Sequence, residues 1–345
     1  MYNIKMIILS IETTCDDTAV AIVKYSNNNF EILSNVLSSQ IKEHNNFGGV
    51  VPELASRCHI QNSISVLDKA LSSAKVSQKE IDYIAVTNKG GGLIGSQIVG
   101  VEMAKTISFI LNKNIIQVNH IKSHSLAVFM DTENNKIRNI KFPIISLTAS
   151  GGHTFIVLIK DFDDFKVIGR TIDDASGEAF DKVAKMLNLG YPGGPIISKY
   201  AKNGKNIIDF PRPMINSSNF DFSFSGLKTS VLYYLKDNKN YNIEDVCCSF
   251  QEAVCDVLTY KTIKALKKYK PKSLIIAGGV SANIRLKELM KERLNNIEQK
   301  ICFYYPDKLL TTDNALMVNI NAYFLIKNKK IDNWKNIKSD SLRSV

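Results

Sequence analysis

The sequence predicts a duplicated α/β fold of two related domains, and one pattern occurring twice carries that prediction. Near the N-terminus, Ile7-Ile8-Leu9-Ser10-Ile11 reads as a buried strand. A polar turn, Glu12-Thr13-Thr14-Cys15-Asp16-Asp17-Thr18, leads to a second strand at Ala19–Val23 and a third around Phe30–Leu37. After Pro143 the order returns, with a strand at Ile144–Leu147, a tight turn Ser150-Gly151-Gly152-His153-Thr154, and strands at Phe155–Ile159 and Phe165–Arg170. Each group then gives way to alternating helices and strands, the signature of parallel sheets covered on both faces.

In the first half, Ala55–Ser73 is amphipathic, Ile81–Thr87 reads as a strand, Gly95–Leu111 as a helix and Ile115–Val118 as a strand. In the second, Ile243–Tyr269 is a long helical stretch, followed by a strand at Ser273–Ala277, a helix at Ile284–Leu294 and a strand at Ile301–Tyr305. The polar, Asn-rich stretch Asp131–Lys141 separates them. This predicts an N-terminal domain over 1–130, a C-terminal domain over 142–327 and a tail over 328–345. Two unrelated α/β halves would share the alternation, but not the repeated hairpin.

Composition bounds the function. Hydrophobic residues at 45% and charged residues at 22% of 345 are ordinary for a globular chain and exclude a disordered one. No apolar run is expected to span a bilayer, and Met1–Glu12 does not read as a signal peptide. The six cysteines form no CxxC pair, so reduced thiols and a cytoplasmic location are expected, with Cys247, Cys248 and Cys255 in the core. Forty-four Lys+Arg against 33 Asp+Glu give +11, which fits a nucleic acid, an acidic small ligand or a lysine-rich surface.

Paired polar hairpins facing each other suit phosphate clamping, because small turn residues let backbone N–H groups approach an anion. Asp16 and Asp17 would repel a phosphate unless a metal or water intervened. His120 and His124 stand four apart, so on a helix they share a face, either as a metal pair or by chance. Ile121 stands where a zincin-type peptidase needs Glu, which disfavours that chemistry. Asp313 is the best acidic candidate for a third ligand, and two His with one carboxylate suit Fe(II) or Zn(II). Lys89-Gly90-Gly91-Gly92-Leu93-Ile94-Gly95 is a strand-to-helix turn, but not a Walker loop. Asp173 and Asp174 read as helix-dipole acids, leaving Asp181 as the functional candidate, whereas Asp221–Thr229 reads equally as core or as substrate contact.

The chain resembles the tRNA adenosine threonylcarbamoyltransferase (TsaD-like) family, of bacterial or organellar type, once described as glycoproteases. The matching pieces run in family order: Ile11–Thr18, Gly48–Arg57, His120 with His124, Ser150–Thr154, Asp173–Lys182, Tyr191–Pro195, Asp221–Thr229, Gly278–Asn283 and Thr312–Asn314. The resemblance implies an actin-like, sugar-kinase-like (ASKHA) ATPase fold with a ligand cleft between the domains. It implies transfer of the threonylcarbamoyl group of threonylcarbamoyl-adenylate to N6 of the adenosine just 3′ of the anticodon, in tRNAs reading ANN codons. His120, His124 and Asp313 would hold one divalent metal, Fe(II) first and Zn(II) as the alternative. Thr148, Ala149, Ser150, Gly151 and Gly152 would contact the adenylate's acyl and phosphate groups, and Asp181, Gly194 and Asn283 the nucleoside. No side chain is singled out as general base. Implied partners are tRNA and either a paralogous TsaB-like subunit with a TsaE-like ATPase, or a second copy in a homodimer; no membrane is implied.

Three departures stand out. The family's Gly-Pro-Gly-Leu is here Gly90-Gly91-Gly92-Leu93 with one extra residue before it, which predicts a more mobile loop. Ser176 replaces a usual alanine without expected harm, and Asn328–Val345 lacks the family's Pro-Arg-Trp-Pro-like ending. The competing readings are a metal-dependent peptidase, a non-catalytic nucleotide-binding scaffold and a small-molecule kinase of the same fold.

Overall fold

The computed structural model describes residues 5–45 and 47–340. The chain forms two compact units. One comprises the stretch up to His44, Val50–Ile140 and the stretch from Pro306 onward; the other comprises Asn45–Gly49 and Lys141–Tyr305.

In the first unit, β1 (Lys5–Glu12), β2 (Asp17–Ser26) and β3 (Asn29–Ser39) form an antiparallel meander, followed by α1 (Ile41–Asn45) and α2 (Pro52–Ala74). Next come β4 (Tyr83–Lys89), α3 (Ile94–Leu111), β5 (Asn114–Asn119), α4 (His120–Ala127) and the two-residue strands β6 (Met130–Asp131) and β7 (Lys136–Ile137). The sheet order is β5-β4-β1-β2-β3-β7-β6, with β1, β4 and β5 parallel. In the second unit, β8 (Ile144–Ala149), β9 (Thr154–Ile159) and β10 (Phe165–Arg170) repeat the meander. They lead to α5 (Ser176–Met186), α6 (Gly193–Ala201), α7 (Ser225–Asp237) and α8 (Ile243–Tyr269). Then come β11 (Ser273–Ala277), α9 (Ile284–Leu294) and β12 (Cys302–Tyr304), and the sheet runs β10-β9-β8-β11-β12. The two five-strand orders are identical in direction and connection, so the duplication read from the hairpins is real.

Strand β1 reads as a continuous apolar run because it is buried on both faces. Ile7, Leu9 and Ile11 pack into a core built on α2, α3, β2 and β4. On the opposite face Ser10 donates to Ala315 O, and Asn319 Nδ2 donates to Ile8 O and Ser10 Oγ. Those partners come from α10 (Ala315–Lys327), which packs on β1, β2, β4, β5 and α4. The expected domain at 142–327 therefore ends too late: from Pro306 the chain returns to the first unit. Chain order alone cannot show that a last helix covers the first sheet.

Asp307 fastens that return, accepting from Thr132 N and Oγ1 at 2.8 and 2.7 Å and from Arg138 at 2.6 Å. Burial alone would raise its carboxyl, but Thr132 and Arg138 outweigh it and hold it below the usual range. A depressed folded-state value stabilises above the unfolded value, near about 3.9, and the contribution fades as pH falls through the folded one. Asp307→Asn should cost about 1–3 kcal/mol at pH 7 in urea titrations, with the gap to wild type closing below pH ~4.

The tail is an ordered strap on the first unit. Asp332 exchanges backbone hydrogen bonds with Ile115, Trp334 packs edge-on to Phe109 at 5.3 Å, and Ile337 is buried in the core. Asn88 Nδ2 donates to Lys338 O, and Asp340 N donates to Asn88 O. Its departure from the family ending thus leaves it a packing role; residues 341–345 lie outside the described residues.

Contrary to expectation, among the described residues one helix is long and apolar enough to cross a membrane by length and composition: Ile94–Leu111, with mean hydropathy 1.3. It packs against α2 and β4. In the second unit, Cys247 and Cys255 are fully buried and Cys248 packs against the same core. Phe222, Phe224 and Leu227 of Asp221–Thr229 are fully buried in that core, and the segment leads into α7.

Candidate metal centre and ligand-binding turns

Strands β1, β4 and β5 are parallel, so Glu12, Lys89 and Asn119 end on one side of the first sheet, where ligands of open α/β sheets bind. Asn119 caps α4 by accepting from Lys122 N, which starts the helix at His120 and sets His124 one turn on. The imidazoles lie 4.7 Å apart between centroids, nearly perpendicular, and both are buried. Asn314 caps α10 by accepting from Met317 N, and α10 packs on α4, which brings Asp313 to the pair. Asp313 Oδ1 lies 3.7 Å from His120 Nε2 and 2.9 Å from His124 Nε2. The latter approach lacks hydrogen-bond alignment, and both ring nitrogens of His124 are buried without a partner.

Buried polar atoms are rarely left unpaired, and two buried imidazoles converging on one carboxylate are a donor set suited to a divalent cation. Burial opposes charge on His120, but Asp313 and Glu12 outweigh it and lift its value to about 9. Burial likewise raises Asp313 and Glu12, yet His120 overrides it and holds both below the usual carboxylate range. The pocket thus holds a proton where a metal can sit instead. Tetrahedral ligands at zinc-like bond lengths stand about 3.4 Å apart, close to the His120–Asp313 separation.

Glu12 and Thr14, which the sequence reading left as turn residues, orient His120. Thr14 Oγ1 lies 2.9 Å from His120 Nδ1 and Glu12 Oε2 lies 3.5 Å from it. When Nδ1 carries the proton, Nε2 presents its lone pair to Asp313. Glu12, fully buried, also accepts from Thr14 N and Thr87 Oγ1 at 2.7 Å each. The available signal was an acidic residue closing a buried strand. Glu12→Gln should weaken Zn(II) or Fe(II) affinity about 10–100-fold, read by chelator competition.

The glycine loop is pinned rather than loose. Leu93 N donates to Thr14 O at 2.7 Å, Gln97 Nε2 bonds Gly91 O, and a Cβ on Gly90 would stand 2.5 Å from Asn119 Oδ1. Gly91, where the family has proline, has φ +97°, which proline cannot adopt.

The second unit repeats the placement: its parallel strands β8 and β11 end at Ala149 and Ala277. The turn after Ala149 docks on the start of α5, where Gly177 N donates to Ser150 O and Ser176 N to Thr154 Oγ1. Ser176 is fully buried with its hydroxyl 3.0 Å from that of Thr154, so it supports the turn. Gly151 and Gly152 are exposed, with nothing within 4 Å of a would-be Cβ. Asp181 Oδ1 accepts from Gly193 N at 2.7 Å, and Gly194 beside it is equally open. Asn283 caps α9 through Leu286 N and donates to Ser198 Oγ of α6 and Gln251 Oε1 of α8. Thr148–Gly152, Asp181, Gly194 and Asn283 are thereby tied to the strand ends of one unit. Asp173 and Asp174 do not serve the start of α5. Asp173 accepts from Phe224 N at the start of α7, and Asp174 pairs with Lys182 and Lys228.

These features define an actin-like, sugar-kinase-like fold whose strand ends carry polar turns. The same fold appears in the crystal structure of T. kodakarensis HypF, with a TM-score of 0.62 at 13% identity. That match covers 94% of this chain and about half (48%) of HypF. The family model described as TsaD, tRNA N6-adenosine threonylcarbamoyltransferase, matches residues 31–320, and the chain belongs to that family. Relatives carrying that description include one from Kosmotoga olearia, 49% identical and covering 92% of this chain and 93% of the relative. Another, from Persephonella marina, is 50% identical, covering 92% and 90%. A third, from Clostridioides difficile, is 44% identical, covering 94% of each.

Proposed function

We propose that this chain transfers the threonylcarbamoyl group of threonylcarbamoyl-adenylate to N6 of the adenosine just 3′ of the anticodon in tRNA. Among the features of the molecule, the convergence of buried His120 and His124 on Asp313 carries this reading within the family. His120, His124 and Asp313 would hold one divalent cation, Fe(II) or Zn(II), which when bound supplies Lewis acidity toward acyl or phosphate oxygens. The zincin-type peptidase alternative lacks its general base, since Ile121 follows His120.

The adenylate is a mixed anhydride and already activated, so the protein's work is orientation and charge stabilisation. The turn Thr148–Gly152 offers backbone N–H groups to the phosphate, and its exposed glycines let an oxygen come close. Asp181 holds the start of α6, which sets Gly194 for the nucleoside, and Asn283 joins α6 to α9. Glu12 and Thr14 hold the ring of His120.

A cytoplasmic location fits a tRNA substrate. The partner is a paralogous subunit, with an ATPase as further component, or a second copy of this chain. On the first unit, Ile60 and Ile64 of α2 and Ile94 and Ile98 of α3 form exposed i,i+4 pairs on two helices that pack together. The charge of +11 suits a tRNA backbone, so log affinity for tRNA should fall linearly with log salt, a slope measurable by filter binding between low and physiological salt. The reading is tested with unmodified tRNA and threonylcarbamoyl-adenylate. Appearance of threonylcarbamoyl-adenosine by nucleoside mass spectrometry supports it, and its absence with metal and partners present refutes it.

A further inference from the structure

We propose that Cys15 is a fourth protein ligand of the cation site, its Sγ joining His120, His124 and Asp313 as a thiolate. The proposal rests on reading that cluster as a cation site. Cys15, His120 and Asp313 form a group, among the described residues, whose donor atoms all lie within 4.8 Å of one another. A cation at ordinary bond lengths needs only a contraction of about an ångström to draw them in. His124 brings its Nε2 to 2.9 Å from the same carboxylate oxygen that lies 3.7 Å from His120 Nε2.

The turn that carries Cys15 is held at each residue by a different element. Thr13 Oγ1 donates to Ser96 O of α3, and Thr14 N to Glu12. The Cys15 carbonyl lies 3.0 Å from Nε2 of His59 on α2, whose Nδ1 is 2.8 Å from Thr18 Oγ1. Asp16 O accepts from Gln40 N. That many independent attachments place the thiol rather than merely permit it. The remaining cysteines are unlike it: Cys247, Cys248 and Cys255 pack in or against the core of the second unit, Cys58 is buried on α2, and Cys302 is exposed.

The donor set then consists of two neutral imidazoles, a carboxylate and a thiolate, whose two negative charges balance a divalent cation. A thiolate selects borderline-soft metals such as Zn(II) and Fe(II) over Mg(II), Ca(II) and Mn(II), which prefer oxygen. Four protein donors also fill a tetrahedron, so an incoming oxygen ligand needs a fifth position or the departure of Cys15.

Co(II) is the probe, because thiolate–Co(II) charge transfer absorbs in the near ultraviolet and imidazole or carboxylate ligation does not. Wild-type chain loaded with equimolar Co(II) should show that band. Cys15→Ser should lose it while keeping the visible d–d absorption, and Cys302→Ser should keep both. If Cys15→Ser binds no Co(II), alkylation of the wild type decides. Bound Co(II) should then slow iodoacetamide labelling of Cys15 and leave Cys302 unaffected, and unslowed labelling of Cys15 overturns the proposal. A Co(II)-loaded wild type without the near-ultraviolet band, or a band that survives Cys15→Ser, overturns it as well. Wild type that binds none of Co(II), Zn(II) and Fe(II) overturns the cation reading itself.

Discussion

Asp313→Ala lowers threonylcarbamoyl transfer to tRNA by about three orders of magnitude or more and leaves the circular dichroism spectrum unchanged. Asp313 is the shared neighbour of His120 and His124, so its loss removes the carboxylate of the proposed cation site. Lewis-acid stabilisation is worth several kcal/mol, and each 1.36 kcal/mol is about tenfold in rate. The fold survives for an electrostatic reason. Asp313 is one of the groups that keep His120 protonated against burial, and without it the imidazole can shed its proton instead of stranding a buried charge. Metal analysis of the purified variant should find the cation lost in step with the activity. Full activity with full metal content would remove Asp313 from the site.

Gly177→Val lowers the same activity about 100-fold through a different route. Its Cβ would stand 2.5 Å from Ser150 O and 2.7 Å from Gly151 N, both backbone atoms that cannot swing aside. The turn must move or α5 must tilt, and a displacement of about 1 Å can cost about 10²-fold in an oriented reaction. Overpacking of this kind also costs about 1–3 kcal/mol of stability in the second unit. Gly151→Ala separates the two effects, because nothing lies within 4 Å of its would-be Cβ. That variant should keep wild-type stability and raise the KM for the adenylate. Unchanged KM in both variants would place the adenylate elsewhere.

The duplicated sheet was legible because each strand–turn–strand group is continuous in sequence, and Ile7–Ile11 and Ile144–Leu147 read as buried strands without help from distant residues. His120 and His124 were legible for the same reason, since i,i+4 spacing on α4 is a local property. Asp313 was legible as the best acidic candidate for a third ligand, though nothing local shows that it lies beside the histidine pair. What could not be read locally depended on contacts across hundreds of residues. Assigning α10 to the first unit required its packing on β1, with Asn319 bonding Ile8 and Ser10. Cys15 and Glu12 looked like turn residues because the groups that hold them, His59 and Thr87, arrive from other elements. Asp173 was misread as a dipole acid because the helix it caps, α7, starts some fifty residues later.

The most direct test of the account is nucleoside mass spectrometry of tRNA from cells depleted of this activity and complemented with the wild-type chain or with a His124→Ala, Asp313→Ala double variant. The account predicts restored threonylcarbamoyl-adenosine with the wild type and none above the depleted background with the variant at equal protein level. Full modification in cells carrying the double variant would contradict it.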